Sequence, residues 1–325
     1  MLSGEWWSVG FDVGGTTVKA AVVRCKSREV TVVTTAAYPT IAIATVEDFI
    51  NLLAEQYAAF VKAYPEIGGL GIGFPACVHW KEGIVTTPPN IGWWDKEEYP
   101  LRTVLEKQLQ VPVALDNDAN AAALAEMIMG AGRQLNSFLF VTLGTGVGGA
   151  IVLNRQIIRG ERGCAGEIGH MIIDAHEESV QPSWRRGVLE RFIGREAICQ
   201  RAYAAIERYP HSILSQYGNN LDVIHVSSAA EAGDNAALDV LRETARFFGI
   251  GLASALAILG IEHVVVAGGI SQLPPLFYDV VHQTILERAL PAISTHVVIH
   301  RSTIGSYAGV IGAALLTQGE EANFS

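Results

Sequence analysis

The chain has 325 residues, of which 50% are hydrophobic and 17% are charged, and its formal net charge at pH 7 is −10. This composition is typical of a globular protein with a sizeable core and excludes an intrinsically disordered chain. The acidic balance argues against nucleic acid as a partner, because polyanions bind basic surfaces. The length predicts two domains rather than one.

Cysteine usage and hydropathy predict the compartment. The four cysteines form no C-x-x-C pair, and their spacing predicts reduced, buried thiols rather than a disulfide framework. The longest apolar run, residues 250–259, is interrupted by Gly251 and is too short to span a membrane. The chain shows no secretory signal at its start. We therefore expect a soluble, cytoplasmic protein without a membrane partner.

In chain order, short apolar runs alternate with glycine turns and amphipathic segments. The first strands are predicted at 7–12, 18–23 and 29–36, with Gly14-Gly15-Thr16-Thr17 turning the first into the second. Further strands are predicted at 70–74 and 111–115, and helices at 46–64, 101–109 and 119–130. This alternation predicts an α/β fold.

Residues 139–153 repeat the strand, Gly/Thr turn and strand of residues 9–23. Long helices at 187–209 and 235–259 follow, and a strand at 263–267 ends in Gly268-Gly269. The repeat predicts two related α/β halves. We place a smaller domain at residues 1–118 plus 305–325 and a larger one at 119–304.

The segment from Asp12 to Lys19 has the chemistry of a phosphate-binding turn. Gly14 and Gly15, followed by Thr16, let backbone N–H groups approach phosphate oxygens, and Asp12 could hold a hydrated Mg²⁺. The segment is not a Walker A loop, because the spacing differs and a strand follows. An ordinary hairpin turn is the alternative.

The second turn, residues 144–149, matches the G-x-G-x-x-G pattern of dinucleotide-binding proteins. That pattern requires a helix after the glycines, whereas a strand is predicted here. Gly144, Thr145 and Gly146 therefore indicate a second phosphate-binding hairpin, facing the first across a cleft between the domains.

Two polar segments could contact a sugar. Asp116-Asn117-Asp118-Ala119-Asn120 follows a strand and opens a helix, which suits proton abstraction from a hydroxyl, although helix capping by Asp116 or Asp118 is the alternative. Glu167 and His170 lie among glycines and apolar residues, where they could bind a polyol or form a satisfied core pair.

Taken together, these motifs resemble the ROK family, named for repressors, open reading frames and kinases, over nearly the whole chain. The matching segments are 12–16, 89–93, 117–122, 144–149, 166–170, 266–270 and 308–314. The resemblance implies a two-domain, actin-like (ribonuclease H-like) sugar kinase that phosphorylates a hexose, with glucose at O6 expected, using ATP and Mg²⁺. It also implies a homodimer.

Residue by residue, the resemblance implies Asp118 as the general base. It implies sugar contacts from five residues: Asn90, Asn117, Glu167, His170 and Glu190. It places the nucleotide, with Mg²⁺ near Asp12, at ten positions: Asp12, Gly14, Gly15, Thr16, Lys19, Gly144, Thr145, Gly146, Gly268 and Gly269. Trp93 and Trp94 could stack on the sugar or pack against the domain.

One departure from the family pattern concerns zinc. The family's cysteine-rich segment aligns with residues 181–190, where Gln181, Ser183 and Val188 stand at the cysteine positions. A structural zinc site needs four ligands, nearly always Cys and His, so we expect no zinc.

Alternative functions stay open at this stage. The sugar could be N-acetylmannosamine, N-acetylglucosamine or fructose, or the protein could be a non-catalytic sugar binder. A repressor is disfavoured, because only about ten residues precede Asp12, too few for a DNA-reading module. A group of arginines (Arg155, Arg159, Arg162, Arg185 and Arg186) raises the question of polyphosphate as donor, with a solvated surface cluster as the alternative.

Overall fold

The computed structural model describes residues 5–26 and 29–318. Its strands are β1 (Trp6–Val13), β2 (Thr17–Lys26), β3 (Glu29–Pro39), β4 (Ile67–Phe74), β5 (Val78–His79), β6 (Ile84–Thr86), β7 (Glu98–Tyr99), β8 (Val113–Asn117), β9 (Phe138–Leu143), β10 (Val147–Leu153), β11 (Gln156–Ile158), β12 (His263–Ala267) and β13 (Val298–Arg301). Its helices are α1 (Val46–Ala63), α2 (Leu101–Leu109), α3 (Asp118–Met129), α4 (Glu190–Ile193), α5 (Arg195–Arg208), α6 (Val223–Glu231), α7 (Asn235–Leu259), α8 (Pro275–Arg288), α9 (Pro291–Ser294) and α10 (Ala308–Leu316). The α/β class predicted from the sequence is confirmed.

The chain divides into two units. The first comprises Met1–Asn136, Ala150–Ala165 and Thr303–Ser325, and the second comprises Ser137–Gly149 and Gly166–Ser302. This division differs from the predicted boundary at 118/119, because α3 packs against α10 and the sheet of the first unit. The two helices approach so closely that a Cβ on Gly312 would overlap the backbone of Ala121.

The first unit is built on a five-stranded sheet in the order β3-β2-β1-β4-β8. The antiparallel strands β1, β2 and β3 form one side, and β4 and β8 continue the sheet in parallel with β1. Helix α1 starts with a capping box between Thr45 and Asp48, which satisfies backbone N–H groups at its first turn. Its apolar face, with Phe49 and Leu53 fully buried, covers the sheet.

The second unit is built on parallel strands, with β12 paired to β9 on one side and β13 on the other. Helix α7 is capped by Asp234 at its start and ends at Gly260 in the left-handed conformation. It packs against α5, α6 and α8, and its Phe248 lies beside Phe277 of α8.

The helix predicted over 187–209 is two helices. The backbone of Gly194 is extended, so it ends α4 and begins α5. Gly194 also lies beside the carbonyl oxygen of Thr145, where a Cβ would approach to 3.0 Å. The break is therefore set by packing against the second Gly/Thr turn, which local sequence does not reveal.

The prediction of four reduced thiols is also wrong. Cys77 and Cys164 form a disulfide within the first unit, with their Cα atoms 4.8 Å apart. Gly163, at φ +73°, lets the two segments meet, because a Cβ there would overlap the backbone of Val78. Cys25 is buried and Cys199 half-buried, and both lie outside disulfide bonds.

Hydropathy gives one further result. Within residues 5–26 and 29–318, none of the helices combines the length and the apolar character needed to cross a membrane.

Candidate functional site

The first glycine turn joins β1 to β2 in the first unit. It is closed by a hydrogen bond of 2.9 Å from the Gly14 N–H to the Thr17 carbonyl oxygen. Thr40 braces it from outside, because its hydroxyl donates to the Gly15 carbonyl at 2.7 Å and its N–H to the Thr16 carbonyl at 3.0 Å. Gly15 and Thr16 are exposed residues, and the bonds from Thr40 engage their carbonyl oxygens rather than their N–H groups.

Asp12 lies at the end of β1, directly before this turn, and pairs in register with Lys19 of β2. Its carboxylate faces the start of α10, where a Cβ on Gly309 would lie 2.6 Å from a carboxylate oxygen. Burial raises the pKa of Asp12, and Lys19 lowers it by a smaller amount. Lys19 donates to the Ser306 carbonyl at 3.1 Å, which fixes the ammonium near the same helix.

The sugar-loop residue Asn90 is exposed, and its carbonyl oxygen lies beside Gly15 of the first turn. The tryptophans that follow are packing residues. Trp93 lies 5.1 Å from the Phe49 ring and Trp94 5.0 Å from the Phe74 ring, between centroids. Trp94 also donates its indole N–H to the Lys96 carbonyl at 2.8 Å. These contacts favour the packing interpretation of both tryptophans.

Asp118 is the first residue of α3 and is half-buried. One of its carboxylate oxygens accepts the Ala119 N–H at 2.8 Å. The helix cap is Asn117, whose side-chain oxygen accepts from Ala119 and Asn120, while its amide donates to the Ala76 carbonyl at 3.2 Å. Asn117 therefore takes the capping role that the sequence left open for Asp116 or Asp118, and Asp118 is held at the positive end of a helix.

Asp116 is almost completely buried and supports this segment. One oxygen accepts from the Asn117 N–H at 2.8 Å and from the Asn120 side-chain amide at 2.9 Å. The other pairs with Arg159 Nε at 2.7 Å. Asp116 is thus a structural carboxylate that orients the residues on either side of Asp118.

The second glycine turn, between β9 and β10, is held by Glu190. One Glu190 oxygen accepts the Val147 N–H at 3.0 Å, and the other accepts from Arg185 at 3.2 Å. A Cβ on Gly146 would collide with this carboxylate. Glu190 therefore braces the turn, and both of its oxygens have protein partners.

In the second unit, Glu167 directly precedes a short 3-10 turn that ends at His170. Burial raises the pKa of Glu167, with His170 lowering it and the nearby Glu190 raising it by smaller amounts. His170 lies 5.5 Å from the half-exposed Trp184 ring, and Arg185 lies 5.7 Å from that ring. A partly desolvated acid beside an imidazole can accept and donate hydrogen bonds to hydroxyl groups.

A cavity of about 280 Å³ adjoins the second turn within the same unit. Gly144, Thr145 and Gly269 line it. The structure therefore brings together predicted nucleotide-binding residues from two segments, and Gly144 and Gly269 are 125 positions apart in the sequence. Gly268, with φ +87°, lies directly before Gly269 and against the backbone of Leu143.

Sequence reasoning missed the polar rim of this cavity. Arg195 and Asp222 line it and form a bidentate ion pair, with N–O distances of 2.7 and 2.8 Å. Ser227 and Gln272 also line it. The first two are 27 residues apart and belong to no local motif, so no sequence signal could have paired them.

At the family's zinc positions, Gln181 and Ser183 are exposed, whereas Val188 is buried. Across the part of the chain that the structure describes, no group of three or more His, Cys, Asp and Glu side chains is arranged to hold a metal ion. The segment is held instead by protein contacts, including Glu177 bonded to the Gly187 N–H at 2.7 Å and to Arg191 at 3.1 Å.

The order of these motifs is shared with known proteins. The model of the ROK family matches residues 8–320. The chain belongs to the ROK family. A glucokinase from Halalkalibacterium halodurans is 33% identical over 323 residues, covering 97% of this chain and 96% of that protein.

Two further relatives indicate the range of the family. The crystal structure of a ROK family glucokinase from Streptomyces griseus in complex with glucose and AMPPNP superposes with a TM-score of 0.81 at 28% identity, covering 96% of this chain and 99% of that one. A xylose repressor from Caldicellulosiruptor bescii is 27% identical over 285 residues, covering 86% of this chain and 70% of that protein. This ROK protein has the actin-like fold and is a sugar kinase.

Proposed function

We propose that the protein transfers the γ-phosphoryl group of ATP to O6 of a hexose, with glucose as the first substrate to test. The observation that carries the proposal is Asp118, a half-buried carboxylate held at the first residue of α3 by the cap of Asn117 and the support of Asp116. Phosphoryl transfer depends mostly on positioning and charge stabilisation, and a fixed carboxylate can deprotonate the attacking hydroxyl.

In this proposal the glycine turns hold the phosphates. Exposed backbone N–H groups of the first turn, at Gly15 and Thr16, donate to phosphate oxygens, and Lys19 adds positive charge. The second turn contributes Gly144, Thr145 and Gly146. The adenosine occupies the cavity beside Gly268 and Gly269, where apolar side chains of Val223 and Leu273 can contact a flat base.

Asp12 fits the role of a Mg²⁺-binding carboxylate. Among the described residues, no hydrogen bond or ion pair involves its carboxylate, and burial raises its pKa, so a nearby cation would be favourable. Mg²⁺ prefers carboxylate, phosphate and water oxygens, and when bound with the nucleotide it would neutralise phosphate charge.

The sugar is held, in the same proposal, by Asn90, Asn117, Glu167 and His170. Glu190 acts by bracing the second turn and by its charge beside Glu167. The glucokinases from Halalkalibacterium halodurans and Streptomyces griseus support glucose as acceptor. N-acetylmannosamine, N-acetylglucosamine and fructose are the alternatives, and a sugar binder without catalysis is the competing function.

A turnover assay separates these possibilities. Purified protein is incubated with Mg-ATP and each sugar, ADP release is followed by a coupled enzyme assay, and the product is located by NMR. We expect glucose to give the highest kcat/KM and the phosphate to appear on O6. Binding of glucose without ADP release would instead identify a non-catalytic sugar binder.

Replacing ATP with polyphosphate in the same assay tests the alternative donor. A cytoplasmic location and a homodimer stay predictions, open to fractionation and light scattering.

A further inference from the structure

A second cavity lies in the first unit, away from the glycine turns. Its volume is about 600 Å³, and it opens beside the outer edge of β8. Because β8 ends the sheet order, this edge pairs with no further strand among the described residues. The residues implied to contact sugar or nucleotide do not line it.

The charge of this cavity is unbalanced. Four basic side chains line it, against a single carboxylate: Lys81, Arg102, Arg155 and Arg159, with Asp116. Asp116 is 1% exposed and already paired with Arg159, so its charge is neutralised within the protein. Lys81 and Arg102 therefore leave the cavity with an excess of positive charge.

Two of these basic groups form no ion pair with the part of the chain that the structure describes. Arg102 donates to the carbonyl oxygens of Lys81, at 2.8 Å, and Trp80. Neither Lys81 nor Arg102 has a carboxylate within ion-pair distance in residues 5–26 and 29–318. A guanidinium held by neutral carbonyls keeps its full charge, which favours an anion nearby.

The rest of the lining is apolar and aromatic. Leu124 and Met127 of α3 and Leu316 of α10 supply aliphatic surface. Trp80 lies in contact with two cations, Arg159 at 4.6 Å and Lys81 at 5.3 Å from its ring centroid. Pockets for small molecules combine such apolar walls with a few oriented polar groups.

From these observations we infer that the cavity beside β8 is a binding site for a small organic anion, a phosphate or carboxylate attached to an apolar ring or chain. The basic side chains bind the phosphate or carboxylate group of this ligand, and the apolar side chains contact its ring or chain.

Occupancy of this site is coupled to the catalytic segment through Arg159. The Arg159 guanidinium bonds to Asp116, and Asp116 bonds to Asn117 and Asn120 around Asp118. An anion that binds the Arg159 guanidinium weakens the ion pair between Arg159 and Asp116, so binding changes the turnover of the enzyme. The coupling rests on the proposed kinase function, whereas the binding itself does not.

Calorimetric titration tests the binding with three probes: phenyl phosphate, inorganic phosphate and phenol. We expect phenyl phosphate to bind more tightly than either fragment, at one site per chain, with AMPPNP and Mg²⁺ present to fill the nucleotide motifs. Lys81→Glu should weaken phenyl phosphate binding about two- to tenfold, because an exposed favourable charge becomes unfavourable. Lys62→Glu, an exposed lysine of α1 outside the cavity, is the matched control and should bind like the wild type.

Three outcomes would overturn the site: no binding of millimolar phenyl phosphate with AMPPNP present, equal weakening in both variants, or an affinity equal to that of inorganic phosphate. The coupling is tested by kinetics. Phenyl phosphate should change the kcat or sugar KM of the wild type, and Lys81→Glu should need a higher concentration for the same change. An unchanged rate at a saturating phenyl phosphate concentration would overturn the coupling but not the site. Absence of any sugar phosphorylation would count against the proposed function, and the calorimetric titration would still test the site.

Discussion

The two glycine turns have similar sequences but different electrostatic surroundings. The first follows Asp12, a carboxylate with no hydrogen bond or ion pair among the described residues, and a neutral hydroxyl from Thr40 braces it. The second has Thr142 at the position corresponding to Asp12, and it is braced by Glu190, whose charge is balanced by Arg185. Among the described residues, only the first turn therefore has beside it a carboxylate without a hydrogen bond or ion pair.

From this difference we predict that the two units contribute differently to the reaction. The first unit carries Asp12 and Asp118, so substitutions there should act mainly on turnover. The second unit carries Glu167, His170 and the 280 Å³ cavity, so substitutions there should act mainly on ligand affinity. The opposite result, with substitutions in the first unit changing mainly affinity and those in the second changing mainly turnover, would contradict this assignment.

The largest effect is expected for Asp118→Asn. Loss of a general base typically lowers the rate about 10²–10⁴-fold. We expect kcat to fall by that order, with glucose affinity by calorimetry within a few-fold of the wild type. The control is Asp95→Asn, which removes an exposed carboxylate whose ion pair, within residues 5–26 and 29–318, is with Lys96 alone. Turnover near that of the control would remove Asp118 from the catalytic role.

The disulfide of the first unit should have the next largest effect, on stability. Cys77 and Cys164 are separated by 87 residues, and a disulfide typically stabilises a protein by about 2–4 kcal/mol, mainly by restricting the unfolded chain. Cys164→Ser should therefore lower the free energy of unfolding in denaturant titrations by that amount. Cys199→Ser, outside the disulfide, should change it little. Reductant should destabilise the wild type but leave Cys164→Ser unaffected.

Glu167→Gln tests the second unit. Loss of a charged hydrogen-bond acceptor costs about 1–3 kcal/mol, so sugar KM should rise about 5- to 150-fold with ATP KM unchanged. Glu178→Gln, on an exposed residue, is the control. A rise confined to ATP KM would contradict the assigned role.

The same variant has a pH-dependent effect on stability. Because burial raises the Glu167 pKa, ionisation costs the folded state free energy as the pH rises through that value. The stability that the protonated Glu167 contributes is fully present below the unfolded pKa of about 4.3, and it is lost as the pH rises through the higher folded pKa. Glu167→Gln should therefore raise the unliganded Tm at pH 7 and leave it unchanged at low pH. An equal shift at both pH values would exclude ionisation as the cause.

Arg195→Ala should have a smaller effect, on nucleotide affinity. Its side chain is 56% exposed and pairs with Asp222 at the rim of the second cavity, and exposed pairs contribute little. We expect ATP KM to rise about two- to fivefold, with sugar KM unchanged. Arg242→Ala breaks a comparable exposed pair with Asp239 and is the control. Equal values in both variants would place the nucleotide elsewhere.

No effect is expected from metal chelation in the absence of Mg²⁺. The segment from Asp174 to Gly187 is held by Glu177, Arg186 and backbone bonds, and Gln181, Ser183 and Val188 are unsuited to zinc. The Tm should stay constant in EDTA. Elemental analysis that finds about one zinc per chain, or a Tm that falls in EDTA, would refute the prediction.

Much of the fold could be predicted because its signals are local. The turn after Asp12, helix α2 and helix α7 follow from glycines, apolar periodicity and capping residues close in sequence. The short strands β5, β6 and β7 were missed, since two- and three-residue strands carry little periodicity. The break at Gly194 was missed because packing against Thr145 decides it.

By itself, the sequence determined the α/β class, both glycine turns and the residues implied for the site, because each rests on neighbouring residues or on a motif read in order. Only the tertiary structure decided which groups meet. It joined Cys77 to Cys164, gave Asp116 the partner Arg159, and made Asn117 a helix cap. Such pairs form between segments that the chain brings together only on folding, and no spacing along the sequence encodes the distance between them.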